Sequence, residues 1–570
     1  MIKNIIILSV SALVIALPFI FRQEELQTRW KPGDPELVIV TPHNEAIRFE
    51  FGHAFSKWHE QHYGKPVRID WRAIGGTSEI MRYLAAAYVS SYRSWWKNQG
   101  KEWPLEATQA VVNRKYKPDG SIVDEIHRTM REIDDAEKFG CDIDLFFGGG
   151  EYDHNKASRQ GMSVPPWPVD NPPEGILSDG GLEVIPERLS GETWRTATLL
   201  GTAISTFGIC YNMDRLAELG VDEPEVWDDL ANPKLFKQVG VSDPTKSGSI
   251  SKAFEMIVHQ KVYQSVIAAG FGDEDIAAFE KQFEGRAWEV PEGVPARYQE
   301  AIEAGWLNGI HLIQKIGANA RYFTDSSTKV PIDVSMGDAA AGLAIDFYGR
   351  YQAETSKAPD GTERMRYITP DGGSSVSCDP ASLLRGAPNK EIAIRYLQFV
   401  LSENGQRIWN YRPGSEGGPL KFALRRLPIR RSFYPSTEKK LQAAFVRHKD
   451  QCTDDLGDPA VNPYELARKF TYYRRWTGNH FSIHRNLIKA MCLDSGEELK
   501  EAWMAINANG GPDKQSVAIK TLQTLPEDFT WKTAIDDYRG KNELKFMRDW
   551  VIHFREIYGR AKAIAEGGSA

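Results

Sequence analysis

The sequence predicts an α/β protein of two lobes joined by a hinge, followed by a mainly helical C-terminal extension. Three observations predict it. Short apolar strands are each broken by a turn of small or hydroxyl-bearing residues that opens a helix. Two apolar runs, 199–211 and 339–345, have the length to cross between two bodies. After residue 435 the pattern turns charged and helical. At 570 residues the chain exceeds one hydrophobic core, so two or three domains are expected.

The elements follow in order. Lys3 precedes the apolar run Ile5–Phe21, and Arg22-Gln-Glu-Glu-Leu26 ends it. Residues 1–22 therefore read as an export signal or a single N-terminal membrane anchor, at the short end for a spanning helix and weakened by Pro18. Residues 23–36 read as a linker. Lobe 1 is assigned to 37–198 and 350–435, and lobe 2 to 199–349. Leu37-Val-Ile-Val40 runs into Thr41-Pro-His-Asn44, and Ile47, Phe51, Phe55 and Trp58 then recur at helical spacing. Strand 67–71 runs into Gly75-Gly-Thr-Ser78 and a helix over 79–89. Residues 90–138 read as an insertion with one helix at 121–137. Asp144-Leu-Phe-Phe147 ends in three glycines.

In lobe 2, the run 199–211 crosses between lobes and a short helix begins at Trp227. Val239-Gly-Val241 enters Ser242-Asp-Pro-Thr-Lys-Ser-Gly-Ser249, ahead of a helix over 254–269. The run 339–345 returns to the hinge and ends at Asp346-Phe-Tyr-Gly-Arg350. A helix over 390–403 and Arg425-Arg-Leu-Pro-Ile-Arg-Arg431 complete lobe 1, and 436–570 form the extension.

Composition narrows the function. A net charge of -7 and a pI near 6.0 argue against nucleic acid as a partner. The five cysteines are far apart with no CxxC, which excludes a zinc ribbon or a thioredoxin-type motif. An odd count leaves at least one free thiol even if Cys452 and Cys492 pair. No GxxxxGK[ST] spacing supports nucleotide hydrolysis, and no GxSxG supports a serine hydrolase.

The turns carry the binding chemistry. Helix N-termini collect unpaired backbone N–H groups and partial positive charge, which favour an anion. Thr77 or Ser78 can add a hydroxyl to an oxyanion, as can Thr245, Ser247 and Ser249; each turn also reads as a plain N-cap. Asp325, Ser326 and Ser327 offer a carboxylate and hydroxyls from the second lobe. His480 and His484 stand at i,i+4, a spacing compatible with a metal but with no acidic third ligand in register. Tyr472-Tyr-Arg-Arg-Trp476 reads as a packed helix with snorkelling arginines.

Several of these motifs resemble a known family. They are Gly75-Gly-Thr-Ser-Glu-Ile80, Ser242–Ser249, Gly317–Lys329, Gly337–Gly349, Trp227-Asp-Asp-Leu230 with Pro233-Lys-Leu-Phe236, Asp379-Pro380, Leu384–Asn389 and Phe399-Val-Leu-Ser402. Taken in order over residues 35–435, they resemble the extracellular solute-binding proteins of ABC importers, in the ferric-ion-binding-like branch of the type 2 periplasmic binding fold. The resemblance implies a monomeric, non-enzymatic periplasmic protein that closes two lobes over a small anionic solute and delivers it to an inner-membrane ABC permease. It implies no cofactor other than Fe(III) as a possible ligand. His43 sits where iron binders of this family place a ligand-contacting residue, and with Asp346 and Tyr348 it is the candidate set for iron. Those iron binders use two adjacent tyrosines, whereas this chain has Phe347-Tyr348. The single phenol favours an organophosphate or phosphonate over ferric ion. The expected contact set is His43, Thr77, Ser78, Thr245, Ser247, Asp325, Ser326, Asp346 and Tyr348. The alternatives are an enzyme on the same scaffold acting on a small phosphorylated or pyrimidine-type molecule, and an extension that docks a partner.

Overall fold

The computed structural model describes residues 30–113, 115–283, 289–538 and 543–568. The expected signal or anchor at 1–22, and the linker as far as Arg29, lie outside the described residues. Among those described, no helix is long and apolar enough to cross a membrane.

The chain first builds three strand–turn–helix units. Strand β1 (Glu36–Val40) leads into helix α1 (Glu45–Tyr63), where the Asn44 side chain accepts from the Ile47 N–H at 3.1 Å. Strand β2 (Arg68–Arg72) leads into α2 (Thr77–Asn98), and β3 (Leu145–Phe147) into α3 (Glu151–Arg159). Because β1 pairs in parallel with both β2 and β3, the turns after all three strands gather on one edge of the sheet. Helix α2 runs past its expected end at residue 89. Tyr88, Tyr92 and Trp96 continue the buried stripe of Ile80, Met81 and Leu84. The expected insertion packs back on that stripe through Val123, Ile126 and Met130, from a helix that ends at Glu132 instead of 137.

The run 199–211 yields two strands in different sheets. β4 (Leu200–Ser205) belongs to the first sheet and β5 (Phe207–Asn212) to the second, with Thr206 alone between them. The second sheet then adds β6 (Val239–Ser242) with α4 (Gly248–Ala268), helix α5 (Ala296–Asn319), β7 (Ala320–Thr324) with α6 (Lys329–Met336), β8 (Ala341–Ile345) with α7 (Asp346–Thr355), and β9 (Met365–Ile368). Here too one strand, β6, is parallel to both neighbours, β7 and β8. The chain re-enters the first sheet as β10 (Ser377–Leu384), and a short β11 (Leu427–Pro428) closes that sheet's edge. The first sheet runs β11–β4–β10–β3–β1–β2 with Ser163–Val164 pairing β10, and the second β7–β6–β8–β5–β9. The protein is a two-lobed α/β structure with a helical C-terminal extension.

Two expected boundaries move. Lobe 2 begins at Phe207, since β4 pairs with β10 and β11 in the first sheet. The return to lobe 1 is not made by 339–349. β8 pairs with β5 through Phe207↔Ile345 and with β6, so it is a fully buried strand of the second sheet, and α7 and β9 stay with that lobe. The returning segment is 369–376, which carries no apolar run to announce it.

The first part of the extension lies on lobe 1, where Asn410 donates to Asp454 and the Tyr464 hydroxyl to Ile429 O, both at 2.9 Å, and from Phe481 onward it packs mainly on lobe 2. Its helices α8 (Phe481–Ile488), α9 (Gly496–Ala508) and α10 (Glu543–Ala565) lie against α4, α5 and one another. His484 accepts from the Trp306 indole at 2.8 Å and stacks on His480, so this pair is packed into the interface. Arg475 and Trp476 both donate to Glu280, so 472–476 is packed, but as a turn and not as the expected helix, and Arg475 is buried in an ion pair instead of snorkelling to solvent. All five cysteines are buried and free, so Cys452 and Cys492 do not pair.

Candidate solute-binding cleft

Strand direction decides where the cleft lies. In both sheets the parallel strands point their C-terminal ends at the gap between the lobes, where a doubly wound sheet places its ligand. Six helices begin there, α1, α2, α3, α4, α6 and α7, and residues at the start of each line the cleft space. Asn44 and Ser247 cap α1 and α4 with their own side chains. No side chain caps the other four, whose N-cap residues are Gly76, Gly150, Thr328 and Ile345. Uncapped first turns leave backbone N–H donors for something else to satisfy; at α6 and α7 the first of these is taken within the chain, Lys329 N–H by Ser326 O at 3.2 Å and Asp346 N–H by Thr206 O at 3.0 Å.

The cleft has an outer part of about 570 Å³ and an inner chamber of about 170 Å³, which share Gly149, Gly248, Ser249 and Ile345. The outer part is bounded by His43, Thr77, Ser247, Tyr348, Asp379 and Arg426, with Asp325 and Ser326 at its rim. The lobes meet at its mouth. A methyl group placed on Gly76 would sit 2.7 Å from the Lys246 carbonyl oxygen, across the gap.

At the floor lies a buried polar triad. Arg426, only 1% exposed, forms an ion pair with Asp379 and donates to Ser205 Oγ at 2.9 Å. His43 Nε2 lies 2.9 Å from Asp379 Oδ2 and 3.1 Å from Arg426 Nη1. The carboxylate only accepts, so it takes the Nε2 proton and leaves Nδ1, which has no partner, as an acceptor. Burial holds His43 neutral by lowering its pKa, against the opposing pull of Asp379. Burial alone would raise Asp379, but Arg426 and His43 hold it below its ordinary value. Beside them Asp346 is fully buried with both carboxylate oxygens unpartnered, and burial pushes its pKa up to about 6 despite Arg350 and Arg426.

The inner chamber is framed by Lys252, which lies 3.0 Å from Glu192 and 3.1 Å from Glu255, with its ammonium 3.7 Å from the centre of the Tyr472 ring. Glu255 also accepts from the Tyr472 and Thr477 hydroxyls at 2.6 and 2.9 Å. Burial, then Glu192, raises the pKa of Glu151 at the chamber edge. One wall comes from the extension: Tyr472, Arg474, Gly478 and Phe481.

The expected contact residues divide into two groups. His43, Thr77, Ser247, Asp325, Ser326 and Tyr348 all line the outer cleft, though Asp325 is held by Lys246 at 2.6 Å and is 75% exposed. Ser78, Thr245 and Asp346 do not line it. The Thr245 hydroxyl donates to Asp243 at 2.6 Å, and Ser78 Oγ accepts from Arg485 at 2.8 Å. Thr77 and Ser78 are adjacent on one helix and so point about 100° apart. Arg426, Asp379, Lys246 and Phe347 were not anticipated as site residues. The only sequence signal for the first two was their place in Asp379-Pro380 and the basic run 425–431.

Residues 175–415 match the family model of bacterial extracellular solute-binding proteins. The matched stretch takes in the Thr206 crossing, the second sheet and the return into β10, so the resemblance read from the motifs holds where much of the cleft is built. An uncharacterized protein of Haemophilus influenzae is 21% identical over 308 residues, 53% of this chain and 71% of that protein. Among solved structures, the chain is similar to the periplasmic binding protein AfuA of Actinobacillus pleuropneumoniae with fructose-6-phosphate bound (15% identity, 79% of this chain and 98% of that one, TM-score 0.41). It is also similar to PotD of Streptococcus pneumoniae, a spermidine/putrescine substrate-binding protein (13%, 80% and 99%, TM-score 0.40). Iron-bound HitA of Pseudomonas aeruginosa is a third (15%, 76% and 98%, TM-score 0.38).

Proposed function

We propose that this protein captures a small phosphate- or phosphonate-bearing organic solute between its lobes and delivers it to an ABC permease, from the periplasm. One observation carries the reading: six helix N-termini converge on the cleft, and four have no side-chain cap. Charged side chains around the outer cleft are largely matched, Arg426 by Asp379, Lys246 by Asp325 and Glu79 by Arg82. What remains is the positive potential of the helix ends and their N–H donors, which suits an oxyanion.

Iron is disfavoured by the same geometry. The guanidinium of Arg426 lies against the Nε2 of His43, and burial holds the Tyr348 phenol well above its ordinary pKa, whereas Fe(III) needs phenolate. Among the described residues, no group of three or more His, Cys, Asp or Glu is placed to hold a metal ion. A thiol enzyme is disfavoured too, because burial raises the thiols of Cys141, Cys210 and Cys452 to about 12.

Mass spectrometry of small molecules released from the purified protein, followed by calorimetry with phosphate monoesters and Fe(III)–citrate, tests the reading. A phosphorylated solute, bound saturably and recovered unchanged, is the expected result. Tight iron uptake with no response to any phosphorylated solute overturns it.

A further inference from the structure

The C-terminal extension reaches the cleft in two independent ways. It walls the inner chamber through Tyr472, Arg474, Gly478 and Phe481, the last with its ring 4.9 Å from that of Tyr152 on lobe 1. It also bridges the lobes. The Arg485 guanidinium donates to the Pro244 and Thr245 carbonyl oxygens of lobe 2, both at 2.6 Å, and to Ser78 Oγ of lobe 1 at 2.8 Å. A planar guanidinium with five donors suits a three-point tie of this kind.

We infer that the extension is a third jaw of the solute site: Arg485 ties the two lobes in the closed arrangement, and Phe481 and its neighbours contact the organic part of a phosphate monoester reaching the inner chamber. The ligand half of this inference rests on the function proposed above; the tie does not. The size of the cleft supports the ligand class. The chamber, about 170 Å³, extends an outer cleft of about 570 Å³, and a cleft of that combined size falls in the range that holds organic ligands. The chamber's mixed lining, with Phe207 and Phe481 beside Lys252, Glu192 and Glu255, suits an organic body carrying polar groups. Tyr472 contributes to the same wall while its backbone packs on a short lobe 1 hairpin, Arg188–Leu189 paired with Glu192–Thr193: its N–H donates to Ser190 O at 2.8 Å.

Two readouts on the full-length protein test the inference. The first needs no solute: spin labels at the exposed positions Ala86 on α2 and Ile332 on α6 report the distance across the cleft. Arg485→Ala lengthens and broadens that distance, and Ser78→Ala, which deletes only the lobe 1 end of the tie, shifts it in the same direction. Unchanged distances in both variants overturn the tie. The second is calorimetry with inorganic phosphate, glycerol phosphate and a hexose phosphate. Arg485→Ala weakens all three by about ten-fold or more, about 1.4 kcal/mol, whereas Phe481→Ala weakens the hexose phosphate and spares inorganic phosphate. A Phe481→Ala protein that binds all three like wild type overturns the wall. If wild type binds none of the probes, the anion reading and the ligand half fall together, while the label distances still decide the tie.

Discussion

Removing Arg426 tests the buried triad most directly. In Arg426→Met the guanidinium is lost while Asp379, 5% exposed, keeps only His43 as a side-chain partner. Breaking a buried ion pair by deleting one member costs about 3–5 kcal/mol, because the remaining charge is left desolvated. Asp379→Asn strands Arg426 in the same way and should cost a similar amount. The double variant leaves no orphaned charge, so its loss should fall well below the sum of the single losses, with a coupling of about 3 kcal/mol. The pH dependence is set by sign. Without Arg426, burial raises the Asp379 carboxyl above its ordinary value, so the folded state takes up a proton as the pH falls. The Arg426→Met deficit should therefore shrink between pH 8 and pH 5. Urea unfolding of the four proteins at both pH values measures this. Single losses that add to within about 0.5 kcal/mol, or a deficit equal at the two pH values, refute the assignment of a buried, paired carboxylate.

Three further outcomes follow from the same geometry. Asp346 titrates at about 6 in the folded protein instead of near 3.8, so its contribution is full below pH 4 and lost as the pH rises through 6; at pH 8 this amounts to roughly 3 kcal/mol of destabilisation. Asp346→Asn should accordingly stabilise at pH 8 and not at pH 4, and equal effects in denaturation at the two pH values refute it. Gly76 has an ordinary φ of -71°, so Gly76→Ala introduces no backbone strain, yet its methyl would meet the Lys246 carbonyl at 2.7 Å. Small-angle scattering should show a more open protein, and an unchanged profile means the lobes do not meet there. Glu50 is 1% exposed and accepts from the backbone N–H groups of Leu420, Lys421 and Phe422 at 2.6–2.7 Å. Glu50→Gln replaces one acceptor by a donor, which should cost about 2 kcal/mol and speed proteolysis near residue 420; unaltered cleavage counts against it.

Local features of the fold were legible because they are written in short stretches of chain. The strand–turn–helix units at 37–45, 67–79 and 239–249 each declare themselves by an apolar run and a small-residue turn, and each turn reaches the cleft. The first crossing was legible for the same reason: 199–211 is a single apolar run that needs only Thr206 to pass from one sheet to the other. The return was not. The segment Thr369–Val376 is polar and glycine-rich, and the run 339–345 is apolar because it forms a central strand covered on both sides, not because it crosses between lobes.

The site shows the same division between local and distant causes. That a hydroxyl stands at the start of α2 can be read from Gly75-Gly-Thr-Ser78, but which hydroxyl enters the cleft depends on helix rotation, and the rotation is fixed by Ile80 and Leu84 seeking the core. Thr77 therefore lines the cleft while Ser78 meets Arg485, 407 positions along the chain. Asp379 and Arg426 have no periodicity to betray them either, since a buried ion pair depends on contacts made by β10 and the segment before β11 only once both are folded. Turns announce where a ligand's charge can be met. The ionic contacts that shape the cleft floor and tie it to the extension arise between segments that share no local pattern, so residues such as Arg426 and Arg485 become visible as cleft residues only when the chain is closed around them.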